Sequence, residues 1–228
     1  MFFDPLYFVF LAPGILLAMW AQWRIHSAYE RASQIPAASG YTGAETAALL
    51  MREAGVRGVG VEPVEGVMTD HYSPHEKVLR LSPDVYAGRS LAALGIAAHE
   101  AGHAIQDQVR YGPLVIRNLM VPLAMFGSNA AWIIILLGFA LKLAGLIYIG
   151  IAAFGLTVLF QLVNLPVEFD ASRRARRELV AAGLVSPREE AEVARVLNAA
   201  AMTYVAATLT AVLTLLYFLF RAGAFNRR

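Results

Sequence analysis

The sequence predicts a mainly α, integral membrane protein: about four transmembrane helices joined to a small α+β polar region. Three observations predict it. The chain of 228 residues is 58% hydrophobic and only 16% charged, whereas soluble domains carry about 25% charged residues. Four stretches reach the ~20 mostly apolar residues that a membrane span requires. The remaining polar residues gather into two regions, 24–118 and 164–200. The alternative is a large soluble helical bundle, but spans this unbroken are rare in soluble cores. Cysteine is absent, so disulfides and thiolate ligands are excluded, and any metal must be held by His and carboxylates. A formal net charge of +2, with no basic stripe among aromatics, gives no reason to expect a nucleic-acid partner.

The first span covers roughly residues 3–23, blemished by Asp4, Pro5 and Pro13. No basic residue precedes it and no small-x-small cleavage site is evident before Trp23, so residues 1–23 read as a retained transmembrane anchor and not as a signal peptide. The second span covers roughly 119–141 and is richest at "WIIILLGFAL"; the third covers roughly 143–163. Only Lys142 separates them, so 119–163 reads as a tight transmembrane hairpin. The fourth span, roughly 201–220, lies in a last segment, 201–228, that ends in a basic tail with Arg221, Arg227 and Arg228.

The hairpin has a topological consequence. Two crossings return the chain to the side it left, so 24–118 and 164–200 face the same compartment and can build one site. They hold 15 of the 19 Lys and Arg residues. The positive-inside rule therefore places them in the cytoplasm, with both termini outside. The three C-terminal arginines pull the other way.

Within the polar regions, "GYTGAETAALLMREAGV" reads as a helix with a capping-box pair, Thr42 and Glu45, and a stop at Gly55. "GVGVEPVEGVMTDHYSPHEKVLRLS" alternates apolar and polar residues between turn residues, and predicts two or three short strands. "SPDVYAGRSLAALGIAAHEAGHAIQDQ" returns to helical spacing. Residues 164–196 read as largely helical, with a break near Gly183 and Ser186-Pro187 and a helix start at Pro166.

The stretch "AAHEAGHAIQ" contains His99-Glu100-Ala101-Gly102-His103, an H-E-x-x-H pattern. On a helix, residues i and i+4 share a face, so two imidazoles converge on one ion and the intervening Glu is placed as general base. Such an ion is expected to be zinc, by ligand type. Catalytic zinc takes three protein ligands and keeps a position open. Candidates for the third are His26, His71, His75 and a carboxylate; Glu168, just past the third span in "NLPVEFDASRRARREL", is favoured. Glu168, Ala171 and Ser172 share a helical face, and Asp170 is turned from Glu168 by roughly 200° at about 100° per residue. Asp170 or Ser172 can steady a ligand imidazole through its second ring nitrogen. Gly102 admits close approach of a neighbouring element. Pro74 keeps His71 and His75 from sharing a helical face. Their segment reads as an edge strand able to hold an extended peptide, with His71 or Tyr72 available to stabilise an oxyanion. The arginines 173, 174, 176 and 177 read as a solvated, headgroup-facing stretch.

Taken together and in order, "TDHYSPHEKVLRLSPDVY", "AAHEAGHAIQ" and "NLPVEFDASRRA" resemble the YugP-type neutral zinc metallopeptidases of bacterial membranes, over roughly residues 5–220. More remotely the layout is similar to HtpX-type membrane proteases, in which H-E-x-x-H is followed by spans and an E-x-x-A-D helix. That likeness implies Glu168 in the ligand position and Ala171 in the alanine position, while Ser172 stands where the pattern has Asp. The resemblance implies a zincin-like metal-binding region and a zinc endopeptidase of the inner membrane, acting on peptide or membrane-protein substrates. Two other readings compete. A site-two-type intramembrane protease places its motif inside a span, but the apolar run before His99 reaches back only to Arg89. A non-enzymatic scaffold with structural zinc needs a fourth protein ligand, such as His71.

Overall fold

The computed structural model describes residues 4–223. The chain runs through α1 (Pro5–Ser33), α2 (Gly43–Glu53), β1 (Gly60–Pro63), β2 (His71–Ser73), β3 (Val78–Leu81), α3 (Pro83–Tyr86), α4 (Leu91–Gln108), α5 (Gly112–Ala140), α6 (Ala144–Ala181) and α7 (Pro187–Arg221). These elements fall into two compact units, one holding Val115–Leu165 with the first part of α1 and the last part of α7, the other holding Gln22–Leu114 and Pro166–Met202.

The first unit is apolar inside and out. Helices α1, α6 and α7 are long and apolar enough to cross a membrane, and α5 makes a fourth span if its two halves, bent by 42° between Met125 and Ala130, count as one. The hairpin between α5 and α6 turns at Lys142, whose φ is 57°. Its arms touch at glycines: a Cβ on Gly138 would lie 2.8 Å from the Ile147 nitrogen, and one on Gly150 2.9 Å from the Ile135 nitrogen. Ile135, Ile151, Phe154 and Phe218 fill the interior, and Trp132 meets Phe154 and Phe218 edge-on. Facing outward, Val9, Leu16, Leu119, Ile133 and Ile149 are all exposed. An apolar exterior of this extent suits lipid. The basic tail residues Arg227 and Arg228, and Phe3 at the start of the first span, lie outside the described residues.

The second unit is a small α+β assembly. Its sheet has the order β1-β3-β2, so β2 is an edge strand. β1 runs parallel to β3, with Val61 opposite Leu79, and β2 runs antiparallel, with Tyr72 opposite Leu79. Leu50, Leu79, Leu81, Val85, Leu91, Leu94, Leu179 and Val193 share one core. Sequence signals set the helix ends. The Thr42 hydroxyl accepts from the Glu45 nitrogen at 3.1 Å, and Glu45 Oε2 accepts from the Thr42 nitrogen at 2.8 Å. Ser186 and Glu189 repeat this box before α7: the Ser186 nitrogen donates to Glu189 Oε2 at 2.7 Å, and the Glu189 nitrogen donates to the Ser186 hydroxyl at 3.4 Å.

One expectation is corrected. Pro166 does not start a helix; it lies inside α6, which runs unbroken from Ala144 to Ala181. A proline in a helix interior costs about 3 kcal/mol. Val167, Ala171 and Leu179 beyond it are fully buried. At about 1.5–3 kcal/mol for each large apolar side chain, continued packing of this face offsets the proline. The breaks expected at Gly183 and at Ser186-Pro187 are present, with Gly183 at φ 67°.

Candidate metal centre

Helix α4 carries the H-E-x-x-H stretch. Ser90 starts it, its hydroxyl accepting from the Ala93 nitrogen at 3.2 Å, and no proline interrupts it before Gln108. His99 and His103 therefore stand one turn apart on one face, rings 4.8 Å between centroids and 83° between planes. Helix α6 comes down onto this face at a glycine. A Cβ on Gly102 would lie 2.7 Å from the Ala171 carbonyl oxygen and 3.3 Å from the Ala171 Cα, so only hydrogen fits there.

That backbone approach delivers Glu168. Its Oε2 lies 3.3 Å from His99 Nε2 and 3.7 Å from His103 Nε2. The carboxylate is buried, and Oε2 has no hydrogen-bond partner. An orphaned buried carboxylate oxygen is costly unless something else satisfies it. The three ligand-type atoms lie within 4.8 Å of one another. Four-coordinate zinc with bonds of 2.0–2.1 Å has ligand–ligand edges of about 3.3–3.4 Å, close to the two distances to Oε2. These residues fit a metal ion. Burial alone would raise the Glu168 carboxyl; the His103 and His99 imidazoles outweigh it and hold the group well below the usual carboxylate range. His103 responds in the opposite sense. Burial works against its charge, but Glu168 and Glu100 more than compensate and raise it.

Ser172 and Asp170 approach the two imidazoles by different routes. Ser172 Oγ sits 3.2 Å from His99 Nδ1. Asp170 reaches His103 through an intermediary, Gln106: its Oδ2 accepts from Gln106 Nε2 at 3.0 Å, and Gln106 Oε1 sits 3.0 Å from His103 Nδ1. Asp170 also accepts from Arg174 Nε at 2.6 Å and from Arg173 at 3.2 Å. Burial disfavours its charge, and Arg174 and Gln106 reverse that, so its carboxyl is lowered. Glu100 is buried beside His99. Gln106 escaped the sequence reading, although its i+3 spacing from His103 puts it beside that ring on a helix.

The structure does not bring His71, His75 or His26 to the metal cluster. His71 is exposed on β2, its Nδ1 2.8 Å from the Thr69 carbonyl, and His75 is exposed in the β2–β3 turn. His26 is exposed on α1, paired with Glu30 at 3.1 Å. Tyr72 donates its hydroxyl to Asp107 Oδ2 at 2.6 Å, one turn beyond His103, and ties the edge strand to α4. Burial, and then Asp107, push this phenol far above its ordinary value. Of the arginines, Arg173 and Arg174 pair with Asp170, Arg176 with Glu190 and Arg177 with Glu178.

The chain is 47% identical over 212 residues to the "Putative membrane protease YugP" of Bacillus subtilis (strain 168), a match covering 92% of this chain and 94% of that protein. No solved structure matches it. Residues 7–223 match the family described as "Putative neutral zinc metallopeptidase". With apolar helices long enough to span a bilayer and a His–His–Glu group that fits a metal, the chain belongs to this zinc metallopeptidase family of membrane proteins.

Proposed function

We propose that the protein is a membrane-embedded zinc endopeptidase with its site on the cytoplasmic face. One observation carries the reading: the orphaned, buried Oε2 of Glu168 faces both imidazoles of an H-E-x-x-H helix. His99, His103 and Glu168 would hold the ion and leave one coordination position free. When bound, zinc supplies Lewis-acid polarisation of a carbonyl and lowers the pKa of water towards neutrality. Glu100 takes a proton from the attacking water at its carboxylate and returns it to the nitrogen of the leaving peptide. Ser172 and Gln106 steady the two imidazoles from behind. The free edge of β2 offers backbone groups to an extended peptide.

The cytoplasmic orientation follows from the 15 of 19 Lys and Arg residues in the two polar regions. Helix α4 is not among the helices apolar enough to span a membrane, which favours a site outside the bilayer over an intramembrane one. Among the described residues the metal-type cluster has three members and not four, which favours catalytic over structural zinc. Zinc content and casein hydrolysis, measured side by side for wild type and Glu100→Gln, test the proposal. The variant should keep its zinc and lose hydrolysis. Full activity in Glu100→Gln would refute the assigned base. Reporter activity in the cytoplasm from a fusion after Arg228 would refute the four-span orientation.

A further inference from the structure

Gln106 is fully buried in the α4–α6 contact, with every polar atom of its amide engaged. Its Nε2 donates to the Val167 carbonyl at 2.8 Å and to Asp170 Oδ2 at 3.0 Å, and its Oε1 faces His103 Nδ1 at 3.0 Å. The chemistry of the neighbours fixes this orientation. A backbone carbonyl and an ionised carboxylate can only accept, so the amide NH2 must point at them. Turned over, the amide would set its oxygen against two acceptors in a dry contact, stranding both and its own NH2. With Oε1 facing His103, a hydrogen bond forms only when Nδ1 carries a proton.

The acceptor that orients the amide is itself held. Asp170 is kept ionised by Arg174, whose Nε donates to the same Oδ2 at 2.6 Å. The Arg174 guanidinium lies 5.7 Å over the Tyr111 ring, and the Tyr111 nitrogen donates to the Gln106 carbonyl at 2.8 Å. The contacts close a ring: Gln106, Asp170, Arg174, Tyr111 and back to Gln106. Among the described residues, His99 has no comparable fixture. Its Nδ1 faces the Ser172 hydroxyl, which can donate or accept and so leaves the tautomer undecided.

We infer that Gln106 is a positioning residue of the metal site, holding His103 with its proton on Nδ1 and a bare lone pair on Nε2, the atom that faces Glu168, with Asp170 as the anchor of the amide. The inference rests on the reading of His103 as a metal ligand. It makes His103 a ligand ready before any ion arrives, whereas His99 settles its tautomer on binding.

Nitrogen NMR of the metal-free full chain, labelled at its five histidines and held in detergent micelles, reads the tautomer directly. Spectra are followed upward in pH until the His103 ring is neutral, and His103 is assigned by difference with His103→Asn. The expected result is a pyrrole-type Nδ1 and a pyridine-type Nε2 in wild type, lost to a mixture in Gln106→Met. Zinc affinity, from competition with a chromophoric chelator, should fall by roughly 10–100-fold in Gln106→Met. Asp170→Ala removes the acceptor that anchors the amide and should weaken zinc binding in the same range, roughly 10–100-fold. A wild-type His103 protonated on Nε2, or Gln106→Met with unchanged tautomer and zinc affinity, overturns the inference. The wild-type tautomer needs no variant to fold. Zinc uptake by wild type is read separately, and its absence would overturn the metal reading itself.

Discussion

Replacing Gly102 with Ala adds one methyl group where α4 meets α6, and that methyl would stand 2.7 Å from the Ala171 carbonyl oxygen. Carbon–oxygen contacts relax at about 3.3–3.6 Å, so the two backbones must part by about 0.6 Å or more. No flexible side chain can absorb this, because the obstructing atoms are all main chain. Two effects compete. Ala in place of Gly in a helix interior stabilises by about 1 kcal/mol, and overpacking costs about 1–3 kcal/mol. The fold should survive with a net loss of at most about 2 kcal/mol. The ligand set is less tolerant, because Gly102 adjoins His103 and Ala171 is one turn from Glu168. The 3.3 Å distance to Oε2 would open past the edge length of about 3.3–3.4 Å that zinc requires, and the 3.7 Å distance, already longer, would widen further. Zinc affinity should fall roughly 10–100-fold, with hydrolysis falling in step at limiting zinc. Chelator competition on purified protein measures it. Gly155→Ala is the control, since a Cβ there meets nothing within 4 Å. Gly102→Ala with zinc affinity within twofold of wild type would refute the claim that this contact sets the metal geometry.

Two further outcomes follow from the same structure. Glu168→Gln keeps the side-chain shape but removes the charge, and should lose zinc by roughly 100-fold or more while remaining folded; metal content after dialysis, read beside a thermal unfolding scan, decides it. Glu189 is lowered by hydrogen bonds from the backbone nitrogens of Ser186 and Ala38. A carboxylate lowered in the folded state contributes stability that is fully present above its unfolded value of about 4.3 and fades as pH falls through the folded one. Glu189→Gln should therefore cost about 1 kcal/mol at pH 7, a deficit that shrinks below about pH 4. A pH-independent difference in melting temperature would show that charge plays no part in this cap.

What could be read from the sequence was local or periodic. Thr42 and Glu45 are three residues apart, and their reciprocal bonds form as expected. His99 and His103 share a face because four residues make about one helical turn. The hairpin at Lys142 was legible because one charge interrupted an apolar run. The third candidate ligand emerged only by combining topology with helical phase; Glu168 lies in one cluster with His99 and His103. Illegible features depended on distant packing. Pro166 reads locally as a helix start, and burial of Val167 and Ala171 carries one helix through it instead. Gln106 carries no local signal of its role; its partners Val167 and Asp170 stand 61 and 64 residues away. The order β1-β3-β2 likewise needs a parallel pairing that no turn signal announces.

The placement of α5 and the first part of α6 between His103 and Glu168 also fixes when the site can come into being. His99 and His103 leave the ribosome before either arm of the hairpin, and Glu168 leaves only after both. Gln106 and Asp170 are separated by 64 residues, which at about 5–20 residues per second amounts to roughly 3–13 s of synthesis. Throughout that interval the chain holds two imidazoles without the carboxylate that completes the set. A nascent chain whose hairpin has not yet been made therefore lacks the full His–His–Glu set, and the order of synthesis delays that set until both arms of the hairpin exist.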